Sequence, residues 1–426
     1  MQAVARAARE RSHLRGAWIG QMAIGSALAP LRRSDFRRLW IAQTVSIVGD
    51  KINQVALSIM VYRLTGSLAQ MGLVFAITFL PAALFGLVAG PFVDRWDRRR
   101  TMITADLVRA CLVIAIPFVV PFGMWAVYAL AFCSATVSLF FEPSRMALVP
   151  SVVEQDELMA ANSLDMTTSS IAELLGIGFA GALVAGVGPS PAFFLDGATF
   201  IISALFVFAV RHRAVRREVA PMGLDVVWRD LRTGLARIRD DDVLRGLLIT
   251  YAAMALVGGA AITLSILLAL DVLRNSGLAD ALRITVVDLS TTAGLLVGSI
   301  AIGIGGPGRA GRKYLSGILA FGVLMVSLSF VKDIRIAAVV LFTLGIANEF
   351  FGIPMLTLMQ QNTEDESRGR VFAVRMTLTR VAAVIGLAGA GFAAQVYGVA
   401  PMIMFVGVVA ACVGLFGFLT PALREA

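Results

Sequence analysis

Histidine occurs twice and cysteine three times in 426 residues, and only 15% of the chain is charged. Each scarcity removes a class of function. His13 and His212 sit in polar segments and supply neither a histidine-based metal site nor the base of a Ser-His-Asp set. Cys111, Cys133 and Cys412 are too few and too scattered for a disulfide scaffold, and because all three fall within apolar runs they are expected to be small buried side chains. No glycine loop followed by Lys-Ser or Lys-Thr is present, which argues against direct ATP drive. No cofactor, no metal and no enzymatic activity are therefore expected. What the chain has in excess is apolar residues, 58% of the total, with a mean hydropathy of +0.82, more than a soluble globular chain of this length carries.

Such a composition belongs to an integral membrane protein. A helical crossing needs about 20 apolar residues, and the polar breaks predict twelve spans, at 37–62, 70–93, 101–120, 124–142, 163–187, 191–210, 246–270, 281–304, 313–331, 335–359, 370–395 and 399–420. The runs are continuously apolar and rich in Leu, Ala, Val and Gly, whereas barrel strands alternate over about ten residues. The fold class expected is an all-α membrane protein.

A net charge of +9 invites a nucleic-acid reading, which the positions of the arginines oppose. They cluster in the tail before the first span (Arg32, Arg33, Arg37 and Arg38 among them) and in the even-numbered loops (Arg95 and Arg98 to Arg100; Arg211, Arg213, Arg216 and Arg217; Arg309, Arg312 and Lys313). By the positive-inside rule both termini are expected to be cytoplasmic. The segment GAWIGQMAIGSALAP imitates a signal peptide, but the arginines that follow at once fit a retained cytoplasmic end.

The chain also repeats itself. GLVAG at Gly86–Gly90 matches GLLVG at Gly294–Gly298, and a shift of 210 residues lays Glu154 on Glu364, Met166 on Met376, Gly176 on Gly386 and Gly181 on Gly391. This predicts a tail at 1–35, a six-span bundle at 36–210, a connector at 211–244, a second six-span bundle at 245–421 and a short end at 422–426. Within the connector Leu224, Val227, Trp228, Leu231, Leu235 and Ile238 recur at helical spacing, which fits an amphipathic helix at the lipid surface and a solvated linker helix equally.

Between the second and third spans stands GPFVDRWDRRRTM, residues 90–102. With the duplication, this loop resembles the major facilitator superfamily of secondary transporters, whose first cytoplasmic loop follows Gly-x-x-x-Asp-Arg-x-x-Arg-Arg; Gly90, Asp94, Arg95, Arg98 and Arg99 match every position. SDFRRLWIAQTVSIVGD, FFEPSRMALVPSVV and DESRGRVFAV further resemble the bacterial branch of macrolide-efflux and enterobactin-export carriers. The resemblance implies that the loop is a cytoplasmic latch, with Asp94 near the start of span eleven around residue 370 and Arg98 paired with acids on neighbouring helices. The equivalent loop of the second half, GGPGRAGRK, is basic but has no acid.

Charges within spans are costly in hydrocarbon and mark function. Gln43, Ser46, Asp50 and Gln54 fall on one face of the first span, a stripe expected to line the cavity between the halves. Asp50 is the expected proton carrier or counter-charge to a cationic substrate; pairing with adjacent Lys51 is the structural alternative. Glu173, Asp288 and Glu349 stand between a cavity role and helix–helix hydrogen bonding. Asp106, Arg109 and Glu142 are expected to form a buried charge network behind the latch, which Arg375 and Arg380 join unless they face an anionic substrate. Phe75, Phe79, Phe350 and Phe351 either line an apolar surface or simply pack. Antiporters of the superfamily often carry Gly-Pro in span five; GIGFAGALVAG has Ala182 at that place. The expected function is proton-coupled efflux of small hydrophobic compounds by a monomer whose partners are its small-molecule substrate, protons and the bilayer; the alternatives are uptake of a nutrient and a membrane enzyme or receptor on the same scaffold.

Overall fold

The computed structural model describes residues 28–93, 96–155, 157–211, 224–304 and 310–425. The long helices follow the expected spans to within a few residues at most ends: α1 (Ser34–Thr65), α2 (Leu68–Val93), α3 (Arg98–Val119), α4 (Met124–Leu148), α5 (Leu158–Val187) and α6 (Ser190–Phe208) in the first half. The connector helix α7 (Leu224–Asp240) leads to α8 (Asp242–Leu267), α9 (Asp280–Ile304), α10 (Ala310–Leu328), α11 (Ile334–Gln361), α12 (Asp365–Tyr397) and α13 (Val399–Leu419). Polar caps set several starts: Asp97 accepts from the Arg100 amide and Asp241 from the Leu244 amide, satisfying donors that a helix N-terminus leaves open.

Among the described residues eleven helices are long and apolar enough to cross a membrane. The twelfth span, α1, is 32 residues long and falls outside that set because Gln43, Asp50, Lys51, Asn53 and Gln54 interrupt it. Those groups are tolerated because α1 is packed inside the first bundle against α5 and α6, away from hydrocarbon.

The repeat in the sequence is a repeat in packing. In the first half α1 packs on α5 and α6, α3 on α4 and α6, and α2 on α4; in the second half α8 packs on α12 and α13, α10 on α11 and α13, and α9 on α11. Every pairing recurs in its counterpart. Gly188 (φ +85°) and Gly398 (φ +89°) end α5 and α12 at positions 210 residues apart. The halves meet through two further counterparts, α2 with α12 and α5 with α9. At the ends away from the connector these contacts are very close: a Cβ on Gly72 would stand 2.8 Å from the Gly391 Cα, and one on Gly181 would stand 3.3 Å from the Ala281 carbonyl oxygen. Gln395 of α12 accepts from the Leu68 amide at 2.9 Å, and Thr285 of α9 donates to the Ile177 carbonyl at 3.3 Å. Small residues permit this approach where lipid offers no hydrophobic drive for helices to associate.

The connector helix docks on α12. Arg237 pairs with Glu364 at 3.0 Å, Gly234 sits against the Arg370 backbone, and Ile238 is buried, while Trp228 and Leu235 are exposed. One expectation fails: Cys111, Cys133 and Cys412 are exposed on the outer faces of their helices, not buried. Lipid tails are as apolar as a core, so composition does not tell a lipid-facing position from an interior one.

Candidate functional site

The first-span stripe does line a cavity between the halves. Gln43, Ser46, Asp50 and Gln54, with Lys51 and Asn53 beside them, form one wall of a space of about 770 Å³, closed on the other side by residues of α8 to α11. That volume lies in the range that encloses a drug-sized molecule. The walls differ in chemistry. The first-half wall holds Asp50, Lys51, Arg109 and Glu142; the second-half wall is mostly apolar, with Ile262, Ile266, Phe321, Met325, Leu341 and Leu344, and Asp288 is its single charged group. Phe75 and Phe79 face the cavity, whereas Phe350 and Phe351 do not line it; Phe351 packs edge-on against Phe321, centroids 5.8 Å apart.

Asp50 is held by Arg109 of α3, Nη2 to Oδ1 2.5 Å, and the guanidinium lies over the Phe200 ring, 3.9 Å from its centroid. Pairing with Lys51 does not occur. Consecutive residues diverge by about 100° around a helix, so Lys51 turns instead to Glu173 of α5, 3.7 Å away. Glu173 and Glu349 do not line the cavity; a Cβ on Gly298 of α9 would sit 3.0 Å from Glu349 of α11, placing that acid between these two helices.

Behind Asp50 lies a cluster that sequence reasoning assembled only in part. Asp106 accepts a hydrogen bond from Ser203 at 2.6 Å, and Asp196 of α6, fully buried, accepts from Thr199 at 3.3 Å. Asp106 Oδ1, Asp196 Oδ2 and Arg109 Nε have no hydrogen-bond partner among the described residues. Asp196 was missed, although FFLDGATF places an acid within a span and the rule applied to Asp50 would have found it. Gly49 makes room for the cluster, since a Cβ there would run into Thr199 and Asp196. Glu142 is not part of it. It pairs with Arg145 at 2.7 Å, and Arg145 reaches Asp165 of α5 at 2.9 Å, a separate α4–α5 bridge.

Asp94 and Arg95, and with them the expected contact to span eleven, lie outside the described residues; Gly90 falls within α2. Arg98 and Arg99 pair with no acid among the described residues. Arg98 donates to the Ala147 carbonyl at 3.0 Å and Arg99 to the Val207 carbonyl at 3.2 Å, and Arg99 also donates to Phe208. Those carbonyls end α4 and α6, where a helix leaves acceptors unsatisfied and favours cations, so these two arginines fasten α3 to its neighbours within one half. Arg375 packs on Tyr251 and Phe372, and Arg380 donates to the Ala82 carbonyl of α2 at 3.0 Å with Gly86 beneath it; neither joins the Asp106–Arg109 cluster.

The comparisons with known proteins agree with this architecture. Macrolide efflux protein A of Streptococcus pyogenes is 24% identical over 390 residues, covering 89% of this chain and 94% of that protein. Multidrug efflux pump Tap of Mycobacterium bovis BCG is 25% identical over 397 residues, covering 90% and 93%. Among solved structures, a bacterial homolog of the human lysosomal transporter Spinster, inward-facing and unoccupied, shares the fold with a TM-score of 0.72 at 14% identity, covering 93% of this chain and 98% of that one. The nucleoside transporter NupG does so with a TM-score of 0.73 at 12% identity, covering 90% and 99%. The Major Facilitator Superfamily profile matches residues 39–387, and with twelve spans in two like halves around a central cavity this chain is a member of that transporter superfamily.

Proposed function

We propose that the chain is a proton-driven exporter of small, mainly hydrophobic compounds, working by alternating access in a bacterial cytoplasmic membrane with both termini in the cytoplasm. The observation that supports this most is Asp50, a carboxylate on the cavity wall held by Arg109 and backed by two further aspartates. Three carboxyl groups thus lie around one guanidinium, a cluster whose charge an arriving proton changes. Protonating Asp50 releases its hold on Arg109, which then has the free oxygens of Asp106 and Asp196 to turn to. A single group thereby changes charge and reshapes the cavity wall, which is what coupling requires. The closest backbone approaches between the halves, at Gly72 with Gly391, lie on the side away from the connector, which supports a conformation open to the cytoplasm. The efflux relatives support the outward direction.

The test is the sign of proton movement. In everted membrane vesicles acidified inside, addition of a hydrophobic compound with no titratable amine, which an acidic lumen does not trap, should discharge part of the acidity while the compound accumulates within, and vesicles lacking the chain should do neither. A symporter of the uptake type would accumulate nothing under this gradient, and that result would replace the export reading. The sidedness has its own measurement. A fluorescent reporter that matures only in cytoplasm should glow when fused at residue 426 or within 218–240, whereas periplasmic phosphatase activity at either place would overturn the span count.

A further inference from the structure

Ion pairs account for every charge on the first-half wall of the cavity: Asp50 with Arg109, Lys51 with Glu173 and Glu142 with Arg145. Asp288 of α9 is different. It lines the cavity from the apolar half and makes no hydrogen bond or ion pair with any described residue. The hydroxyls next to it on α9 are already committed, Ser290 donating to the Val286 carbonyl at 2.6 Å and Thr291 to the Val287 carbonyl at 3.0 Å. Lys51, the one ammonium sharing the cavity, is engaged by Glu173 within its own half. A carboxylate on a cavity wall that otherwise carries Ile262, Ile266, Phe321 and Met325, with no hydrogen bond or ion pair to a described residue, is a site that a visiting cation completes.

We propose that Asp288 is the recognition carboxylate for amphipathic cations, binding their positive end while the apolar wall takes their ring or hydrocarbon body. This names a substrate class within the export reading and rests on it only for the direction of transport. It also divides the labour in the cavity. A cation approaching Asp50 would have to displace a guanidinium fixed at 2.5 Å, whereas Asp288 is within the field of the Lys51 ammonium but in no ion pair with it. Aromatic rings near a cationic centre add attraction from their faces, and Phe321 stands on the same wall.

The experiment measures equilibrium binding to the purified full chain in lipid nanodiscs, so it needs no gradient and is independent of coupling. Two probes of similar bulk are compared: tetraphenylphosphonium, permanently charged, and triphenylphosphine oxide, neutral. The readout is the ratio of the two affinities within each variant, which cancels a general loss of packing. Asp288→Asn and Asp288→Ser should each lower the cation's relative affinity about tenfold, the scale of a lost hydrogen bond to a charged group, and Asp288→Glu should retain the preference. An unchanged ratio in the Asn and Ser variants overturns the proposal, as does a wild-type chain that does not bind the cation. Failure of the vesicle experiment with this ratio intact would remove the export reading and leave Asp288 in place.

Discussion

Replacing Asp50 by Asn should abolish uphill transport while leaving the compound able to exchange down its own gradient. Asn keeps the size of the side chain and an oxygen for Arg109 to donate to, but it cannot take up and release a proton. The variant therefore separates holding the pair from titrating it. A loss of more than about a hundredfold in gradient-driven accumulation is expected, the scale on which a positioned proton-transfer group acts. Asp50→Glu should retain part of the coupled activity. A neutral compound makes the sharper measurement, because its loss cannot be traced to a missing counter-ion. Should Asp50→Asn still concentrate a neutral compound with proton counterflow intact, Asp50 is not the carrier. The buried Asp196, with its free oxygen, would then take its place as the first candidate.

The largest effect on stability should come from Arg109→Leu. Arg109 is 8% exposed and is the cation of a cluster that contains Asp50, Asp106 and Asp196. Removing it leaves half-exposed Asp50 without its ion-pair partner and buried Asp106 and Asp196 without a nearby cation, which destabilises the bundle. The stacking on Phe200 is lost with it. The melting temperature of the purified protein should fall steeply. Arg109→Lys should fall less, since it keeps the charge while losing the planar contact. The double variant Arg109→Leu with Asp196→Asn should recover part of the loss by removing one stranded acid. A single Arg109→Leu variant that melts like the wild type would mean that the cluster carries no net charge to compensate.

How far the sequence announces all this depends on which physical signal is unique. Spans are legible because about 20 apolar residues in a row have few other uses, and the duplication is legible because Gly176 and Gly386, or Gly181 and Gly391, repeat at a constant shift where helices must come close. The polar stripe from Gln43 to Gln54 was readable as a cavity wall from its spacing alone. Partnership was not readable. Asp50 is flanked in sequence by Lys51 but bound in space by Arg109, 59 residues away; which acid meets which base depends on helix rotation and depth, quantities that hydropathy does not encode. The same limit explains Arg98, whose partners are the carbonyls ending α4 and not another side chain. The cysteines show the second limit, that hydrocarbon outside and core inside select the same residues.

The contacts that close the halves on the side away from the connector involve Gly72 with Gly391, Gly181 with Thr285, and the amide of Gln395. None of these groups is charged. The contacts themselves break no ion pair that salt could screen, and the charges beside them, Arg283 and Asp280 of α9, are paired with each other within one helix. Voltage acting on the cycle would have to act elsewhere, on the proton at Asp50 or on a charged cargo. Because that pair moves as a neutral unit, the voltage dependence of turnover measured with a neutral compound should chiefly count protons.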